Sequence, residues 1–394
     1  MNDPIYLDHN ATTPVHTEVV EAMLPYLREH FGNPSSGHVY GRRAHEAVER
    51  AREQVALLLG CEPDEVFFTS GGTEANNLAI VGASRAADGH RRHIVTSTVE
   101  HPATARPCDW LEGEGWDVTR LSVDADCRVQ ADEASASVRS DTALVTVMLA
   151  NNETGAVMPI RALAEIAHER GALMHTDAAQ GVGKLPTRVN ELGVDLLSVA
   201  GHKLYAPKGV GALFIRRGTP IRPLLLGAGH ERGLRPGTEN VPYIVGLGKA
   251  CEVALRDLDG EATRMRDLST DLWELLRAEI SGIRRNGDSV ERLPNTLNLS
   301  FPGVRGSAVL AAASEIAAST GSACHEGDES PSPVLLAMGV DPAIALGAVR
   351  LSLGRATNRT DIRSAARALI RAWQRCTSAQ ERNEAANRGE NRAV

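Results

Sequence analysis

The sequence contains no apolar run that approaches the roughly 20 residues of a membrane-spanning helix. Residues 1–4 carry neither the basic region nor the apolar core that begins an export signal. The 394 residues include only six cysteines, a usage that fits a reducing compartment. Together these absences predict a cytoplasmic protein without a membrane partner.

Motifs for binding metals or nucleic acids are also missing. Five cysteines show neither Cys-x-x-Cys nor Cys/His ligand spacing, and we interpret them as incidental: Cys61, Cys108, Cys127, Cys251 and Cys376. We therefore predict no metal site. The net charge of −8 argues against a generally basic surface, and no direct nucleic-acid partner is predicted. Arginines cluster between residues 216 and 235, where we favour a solvated face over a docking site for an acidic partner.

The composition, 42% hydrophobic and 23% charged, allows a large core and more than one domain. Short apolar runs alternate with helical segments such as residues 161–170, which predicts a mostly parallel sheet covered by helices. The runs are residues 66–68, 94–95, 144–149, 173–174, 196–199 and 212–215. A domain boundary is predicted near Arg256, where a charged helical segment follows.

Lys203 lies in a turn bounded by glycine and proline, just after the apolar residues 194–199. A lysine in such a place can form a Schiff base with an aldehyde, if its amine is held near a cofactor and partly desolvated. Taken alone, the pattern is more typical of a solvated surface lysine. The remaining motifs decide between the two interpretations.

A second strand signal ends on Asp177 and is followed by Gln180. Strand ends are where α/β enzymes place their ligand contacts. A buried aspartate there would keep a heterocyclic nitrogen protonated, which is what makes pyridoxal phosphate an electron sink. A helix-capping aspartate explains the same pattern equally well.

A third strand signal leads into a turn with Gly71, Gly72 and Thr73, followed by a helical segment. Backbone N–H groups at a helix start bind phosphate, glycines allow close approach, and the threonine hydroxyl adds a donor. The turn lacks the Gly-Lys-Ser/Thr of a Walker loop. Capping by Ser70 or Thr73 would explain the hydroxyls but not two consecutive glycines. After a further strand signal, His101 could stack on a planar cofactor, although a lone histidine is more often structural.

These motifs, in this order, resemble the pyridoxal-phosphate-dependent cysteine desulfurases of the class V aminotransferase-like, fold-type I group. The resemblance covers almost the whole chain. The matching pieces are residues 6–14, 31–36, 71–73, 100–101, 151–155, Asp177 with Gln180, 202–203, 235–240, 321–324 and 349–355.

The resemblance implies an α/β homodimer of fold type I. Its large domain, residues 14–255, would have a mostly parallel seven-stranded sheet sandwiched by helices. Residues 1–13 and 256–376 would form a smaller α/β domain that carries a cysteine loop. The polar residues 377–394 are predicted to be a disordered tail.

The resemblance also implies the cofactor, pyridoxal 5'-phosphate, and the residues that bind it. Lys203 would hold it covalently and later move the substrate's α-proton. Asp177 would pair with the pyridinium nitrogen, and His101 would stack on the ring and relay protons. The phosphate would be bound by Gly72, Thr73, His202 and, from the neighbouring subunit, Thr238.

For the substrate, the resemblance implies L-cysteine. Arg350 would bind the α-carboxylate with two parallel hydrogen bonds, which suit a planar guanidinium. Asn152 and Gln180 would contact the oxygen side of the ring or the substrate. The thiolate of Cys324 would take the sulfur as a persulfide and release L-alanine, because only a thiolate is competent. Its polar surroundings resemble the longer, flexible kind of cysteine loop.

The persulfide sulfur would pass to acceptor proteins, for iron–sulfur cluster assembly, tRNA thiolation, cofactor synthesis or DNA sulfur modification. Two other functions stay open: another pyridoxal enzyme such as a selenocysteine lyase or an aminotransferase, and a sulfur-relay scaffold with feeble turnover. One residue departs from the family, which commonly has a phosphate-binding serine three positions before the lysine. Here that residue is Ala200.

Overall fold

The computed structural model describes residues 3–287, 291–320 and 330–390. Its strands are β1 (Ile5–Tyr6), β2 (Val66–Thr69), β3 (His93–Ser97), β4 (Asp117–Leu121), β5 (Thr142–Thr146), β6 (Leu173–Asp177), β7 (Leu196–Ala200), β8 (Gly211–Ile215), β9 (Arg284–Arg285), β10 (Thr296–Ser300), β11 (Ile316–Ala317) and β12 (Ala348–Ser352). Its helices are α1 (Thr17–Arg28), α2 (Val39–Leu59), α3 (Gly72–Ala86), α4 (Pro102–Gly113), α5 (Ala131–Ser137), α6 (Ile160–Glu169), α7 (Val189–Leu192), α8 (Val241–Glu279), α9 (Gly306–Ala312), α10 (Pro333–Ala337), α11 (Pro342–Ala345) and α12 (Arg359–Glu390). Short 3-10 turns occur at Pro63–Glu65, Gly201–Lys203 and His230–Gly233.

The main sheet has seven strands in the order β2-β8-β7-β6-β5-β3-β4. The four pairs from β7 through β6, β5 and β3 to β4 are parallel, whereas β8 runs antiparallel to both of its neighbours. This confirms the prediction of a mostly parallel seven-stranded sheet. The predicted run 144–149 is only partly strand, because β5 ends at Thr146.

Helices cover both faces of this sheet, so the inner strands β3, β5, β7 and β8 are buried throughout, as is usual in the sheets of α/β proteins. Successive residues of a strand contribute to different cores, as side chains that alternate between two faces must. Phe67, Ile94 and Leu213 belong to one hydrophobic cluster. Phe68 and Val95 belong to the other.

A third hydrophobic cluster lies around the smaller sheets, where β10 pairs antiparallel with β9 and β12. It combines Leu7 near the N-terminus with apolar residues of the C-terminal third, such as Leu272 and Leu369. Helix α8 joins the two parts, because its Ala254 packs in the large cluster and its Leu268 in the small one. These clusters support a boundary near residue 256, which stays a prediction.

The C-terminal segment differs from its prediction. Residues 377–390 continue helix α12 to Glu390, whereas the sequence predicts a disordered tail from residue 377. The physical reason is local, because alanine, arginine, glutamate and glutamine all have high helix propensity, although the last three make the segment polar. Among the residues that the structure describes, no helix combines the length and the apolar character that crossing a membrane requires.

Candidate active site

A cavity of about 430 Å³ lies at the carboxyl ends of the parallel strands, a volume in the range of small-molecule sites. It brings together nine of the predicted site residues: Gly72, Thr73, His101, Asn152, Asp177, Gln180, His202, Lys203 and Arg350. Thr238 is not among the residues that line it. Cys324 lies outside the described residues. The cavity also has lining residues without a predicted role, including Asn10, Asn76 and Ala200.

Lys203 ends the 3-10 turn that directly follows β7. Its amine Nζ donates hydrogen bonds to the backbone oxygens of Asn10, at 2.5 Å, and of Ala11, at 2.8 Å. Burial, and then the nearby Arg350 guanidinium, lower the pKa of Lys203 to about 8, although Asp177 acts in the opposite direction. About a tenth of its amine is therefore neutral, and so nucleophilic, at pH 7, compared with less than about 0.1% for an ordinary lysine.

This lowered pKa predicts an unusual reactivity of Lys203 in the cofactor-free protein. Because only the neutral amine reacts with acylating reagents, its modification rate should rise with pH and level off above about pH 8. An ordinary exposed lysine amine would level off only above a pH of about 10.4. Mass spectrometry of the peptide that contains Lys203 measures the rate at each pH. A rate that still increases steeply between pH 9 and pH 10 would contradict the lowered pKa.

Asp177 is the last residue of β6 and is buried. One carboxylate oxygen accepts the Ala179 backbone N–H at 2.9 Å within a turn, and no described helix begins there, so the helix-capping interpretation is wrong. The other accepts the side-chain amide of Asn76 at 2.6 Å. The backbone contact and Asn76 fix a carboxylate that lines the cavity, and its pairing with a cofactor nitrogen stays a prediction.

Asn76 was not singled out by the sequence, although it holds Asp177 from helix α3. Its side-chain oxygen Oδ1 is buried and has no hydrogen-bond partner within the described chain. Leaving a buried polar atom without a hydrogen-bond partner lowers the stability of the fold by about 1–3 kcal/mol. An atom of this kind at a cavity wall therefore fits a site that is completed by a ligand.

His101 has the structural role that its sequence allowed, and its stacking on a cofactor stays a prediction. It is the N-cap of α4, and its ring Nδ1 accepts the Ala103 backbone N–H at 3.1 Å. Burial lowers the pKa of His101, so the ring is neutral and the proton of this tautomer lies on Nε2. The cap thus fixes the orientation of an imidazole that lines the cavity.

His202 is a second neutral imidazole in the cavity wall. Its Nδ1 lies 3.1 Å from the Thr12 hydroxyl. Burial and the neighbouring Lys203 lower the pKa of His202 to about 4. A neutral imidazole has one N–H, which it can donate to an anion, and it adds no positive charge beside the Lys203 amine.

The glycine turn opens helix α3 toward the cavity. Gly71 is the N-cap with φ of +150°, a conformation that favours glycine, and no side chain caps the helix. Capping by Ser70 or Thr73, the alternative that the sequence left open, is therefore not what the structure has. The first N–H groups of a helix have no acceptor within it, and here they lie at the cavity wall with Gly72 and Thr73.

Arg350 lies in the middle of β12 and is buried. Its Nη2 donates to an Asp8 carboxylate oxygen at 2.8 Å, and its Nη1 donates to the Asn152 backbone oxygen at 3.2 Å. Its Nε is buried and has no partner among the residues described. Asp8 and Asn152 thus hold the guanidinium in place with two of its five N–H groups, and the other N–H groups remain for an anionic ligand.

The N-terminal segment is the part of the site whose role the sequence missed. Asn10 is almost fully buried, and its backbone oxygen accepts hydrogen bonds from both Lys203 Nζ and Gln180 Nε2. Its side-chain nitrogen donates to the Asn152 backbone oxygen at 3.1 Å. The only signal in the sequence was that residues 6–14 match a family motif.

These residues fit pyridoxal 5'-phosphate. The cavity offers an amine for its aldehyde in Lys203, a fixed carboxylate for its ring nitrogen in Asp177 and a free helix start for its phosphate. The unpaired Asn76 Oδ1 and Arg350 Nε are polar atoms that a bound group could satisfy.

Comparisons with known proteins agree with this geometry. Residues 5–364 match the family model described as aminotransferase class-V. The chain is 49% identical over 360 residues to a cysteine desulfurase of Trichormus azollae, covering 91% of this chain and 90% of the relative. It is 46% identical over 364 residues to the cysteine desulfurase IscS of Dictyoglomus turgidum, covering 92% of each chain. The solved structure of a NifS-like protein superposes with a TM-score of 0.88 at 38% identity, covering 93% of this chain and 98% of that one.

Proposed function

The chain belongs to the aminotransferase class-V family, and we propose that it is a pyridoxal-phosphate-dependent cysteine desulfurase. It converts L-cysteine to L-alanine and transfers the sulfur to acceptors. The observation that carries this proposal is the placement of Lys203, Asp177 and Arg350 in one cavity of a chain so similar to cysteine desulfurases.

When bound, pyridoxal 5'-phosphate supplies an electron sink for the negative charge that develops at the substrate's α-carbon. Lys203 would hold it covalently, and Asp177 would keep its ring nitrogen protonated. Gly72, Thr73 and His202 would bind its phosphate. His101 would stack on its ring, and Asn152 and Gln180 would contact the oxygen side of the ring or the substrate.

The protein's own residues bind the substrate and move its protons. Arg350 binds the α-carboxylate of L-cysteine, and its pairing with Asp8 fixes the plane of the guanidinium. Lys203 acts as general base and then general acid at the α-carbon, a role that suits an amine with a pKa of about 8. The cavity wall shields this amine in part from water, because Lys203 is half-buried.

Cys324 is the proposed sulfur acceptor. Its thiolate attacks the thiol sulfur of the substrate, so that an S–S bond forms on the enzyme while the substrate's C–S bond breaks. The carbon that loses the sulfur takes up a proton, and the amino acid leaves as L-alanine. The persulfide sulfur then passes to an acceptor protein.

Three further features belong to this proposal: the homodimer, the cytoplasmic location and the role of Thr238 in the neighbouring subunit's phosphate site. Thr238 is exposed, and Leu225 and Leu226 in the same loop region are exposed apolar side chains, with Leu226 at 90%. Such side chains are typical of a surface that another subunit covers. A cysteine that carries a persulfide also requires a reducing compartment.

The test of the function is product formation from L-cysteine by the purified holoenzyme with a reductant present. We expect alanine and sulfide to be released in equal amounts. Release of alanine only from L-selenocysteine would indicate a selenocysteine lyase instead. A protein that binds no cofactor and releases neither product would indicate a scaffold.

Ala200 lowers the number of phosphate donors, so Ala200→Ser should strengthen cofactor binding about tenfold. Ala200 lines the cavity, and its Cβ lies 3.0 Å from the place that a Cβ of Gly72 would occupy, beside the start of α3. A hydrogen bond to a charged group contributes roughly 1.5–3 kcal/mol, and about 1.4 kcal/mol is tenfold in affinity. Cofactor titration of the apo-protein measures the dissociation constant.

The control for this prediction is Ala200→Cys, which adds a side chain of similar shape whose thiol is a weak donor. It should bind the cofactor no more tightly than the wild type. Unchanged or weaker affinity in Ala200→Ser would show that the missing donor is compensated by other groups in the cavity.

A further inference from the structure

Lys184 is a buried lysine that pairs with no carboxylate among the residues that the structure describes. The chain has only four lysines, and Lys184 is 8% exposed, in the segment that follows β6. Within the described part of the chain, no carboxylate oxygen forms a salt bridge with its amine. A buried ammonium without an opposite charge loses solvation energy, which destabilises the fold. A lysine at this buried position therefore calls for a specific role.

The contacts of Lys184 lead directly into the cavity. Its Nζ donates to the Gln180 side-chain oxygen at 2.8 Å and to the Asn10 side-chain oxygen at 3.3 Å. The Gln180 side-chain nitrogen in turn donates to the Asn10 backbone oxygen at 3.0 Å. That backbone oxygen also accepts the amine of Lys203.

We propose that Lys184 is a positioning residue that fixes the side-chain amide of Gln180 in one orientation and holds Asn10 against Lys203. This role rests on the proposed function, because it concerns how Gln180 meets pyridoxal 5'-phosphate. With its oxygen on Lys184, the Gln180 amide has its nitrogen on the Asn10 carbonyl. One N–H of that nitrogen then remains for an oxygen of the cofactor or the substrate.

The reversed amide is excluded by two repulsions. The Gln180 NH₂ group would meet the Lys184 amine, which is itself a donor, and the Gln180 oxygen would meet the Asn10 carbonyl, which is an acceptor. Without Lys184, only the contact with Asn10 would select the orientation, and an acceptor could face the cavity for part of the time.

The ammonium form of Lys184 has no lone pair and so excludes the reversed amide, whereas its neutral amine could also accept from that amide. Burial, followed by the nearby Lys203 and Arg350, lowers the pKa of Lys184 to about 7. A neutral amine still donates two hydrogen bonds, as many as the structure shows. If Lys184 only filled space, methionine would do so without the loss of solvation energy.

The test is a double-mutant cycle with Lys184→Met and Gln180→Leu, with cofactor titration of each apo-protein as the readout. We expect Lys184→Met to weaken pyridoxal-phosphate binding about tenfold, as loss of one hydrogen bond to a charged group would. In the Gln180→Leu background the same change should have little further effect. Equal effects in both backgrounds, or wild-type affinity in Lys184→Met, would overturn the proposal.

A spectroscopic readout separates positioning from general damage to the fold. The pH midpoint of the holoenzyme's visible absorbance should shift alike in Lys184→Met and Gln180→Leu. If Lys184→Met does not fold, Lys184→Gln is the second variant, because its amide can still donate to Gln180. We expect it to bind the cofactor more tightly than Lys184→Ala, and equal affinities would overturn the proposal.

Lys249→Met is the matched control for the same change of side chain. Lys249 lies on α8 outside the cavity and pairs with Glu252 at 2.6 Å. Its replacement should leave the dissociation constant unchanged. A wild type that binds no pyridoxal phosphate would overturn the proposed function and this role together, whereas wild-type affinity in Lys184→Met would overturn this role alone.

Discussion

Lys203→Ala should reduce the release of alanine from L-cysteine by at least about 10³-fold, in the range that loss of a general acid–base group produces. The same residue would hold the cofactor, so the visible absorbance of the covalently held cofactor should disappear as well. The reason lies in the position of the amine, which is half-buried in the cavity wall with its pKa lowered to about 8. Steady-state product assays and absorbance spectra at saturating pyridoxal phosphate measure the two effects.

The control for this prediction is Lys208→Ala. Lys208 is exposed and lies only five residues further along the same turn. It should keep both turnover and absorbance, since it does not line the cavity. Covalent cofactor and turnover that persist in Lys203→Ala would transfer the role to another lysine, of which Lys184 is the buried candidate.

The local motifs were predictable because each lies within one strand–turn unit. Lys203 follows β7 and Asp177 ends β6, so an apolar run and the residue at its end are enough to identify them. Strand β4 was missed because it lies at the edge of the sheet. Its buried residues Val118 and Leu121 are separated by two more exposed residues, so the strand has no continuous apolar run.

The partners of those residues were not predictable, because they come from distant parts of the chain. Asn76 meets Asp177 across 101 positions, and Asn10 meets Lys203 across 193. Lys184 is only four residues from Gln180, but its burial depends on how the N-terminal segment folds over it. Spacing within one segment carries no information about such contacts.

The charges around the cavity explain why the site suits anionic ligands. Lys203, Lys184 and Arg350 provide three basic groups, whereas Asp8 and Asp177 provide two carboxylates. Asp8 already pairs with Arg350, and Asp177 is held by Asn76. An excess of basic groups in a concave, partly desolvated site attracts phosphate and carboxylate groups, which the cofactor and the amino-acid substrate both carry.

Cys324→Ala should remove cysteine turnover, by at least about 10³-fold, while cofactor affinity and the absorbance change on adding L-cysteine remain. The thiolate of Cys324 is the proposed sulfur acceptor, and covalent nucleophiles have no simple substitute. The other cysteines are poor substitutes, because burial raises the pKa of Cys61, Cys108, Cys127 and Cys251 to about 12 and also raises that of Cys376, which does not line the cavity. Alanine and sulfide release, measured beside cofactor spectra, checks both halves of the expectation.

Cys61→Ala is the matched control, since it removes a thiol that is partly buried and does not line the cavity. It should turn over L-cysteine at the wild-type rate. Equal turnover in Cys324→Ala and the wild type would mean that the sulfur leaves without a thiolate acceptor at this position. The protein would then be assigned to a different pyridoxal reaction, such as that of a selenocysteine lyase, for which this cysteine is dispensable.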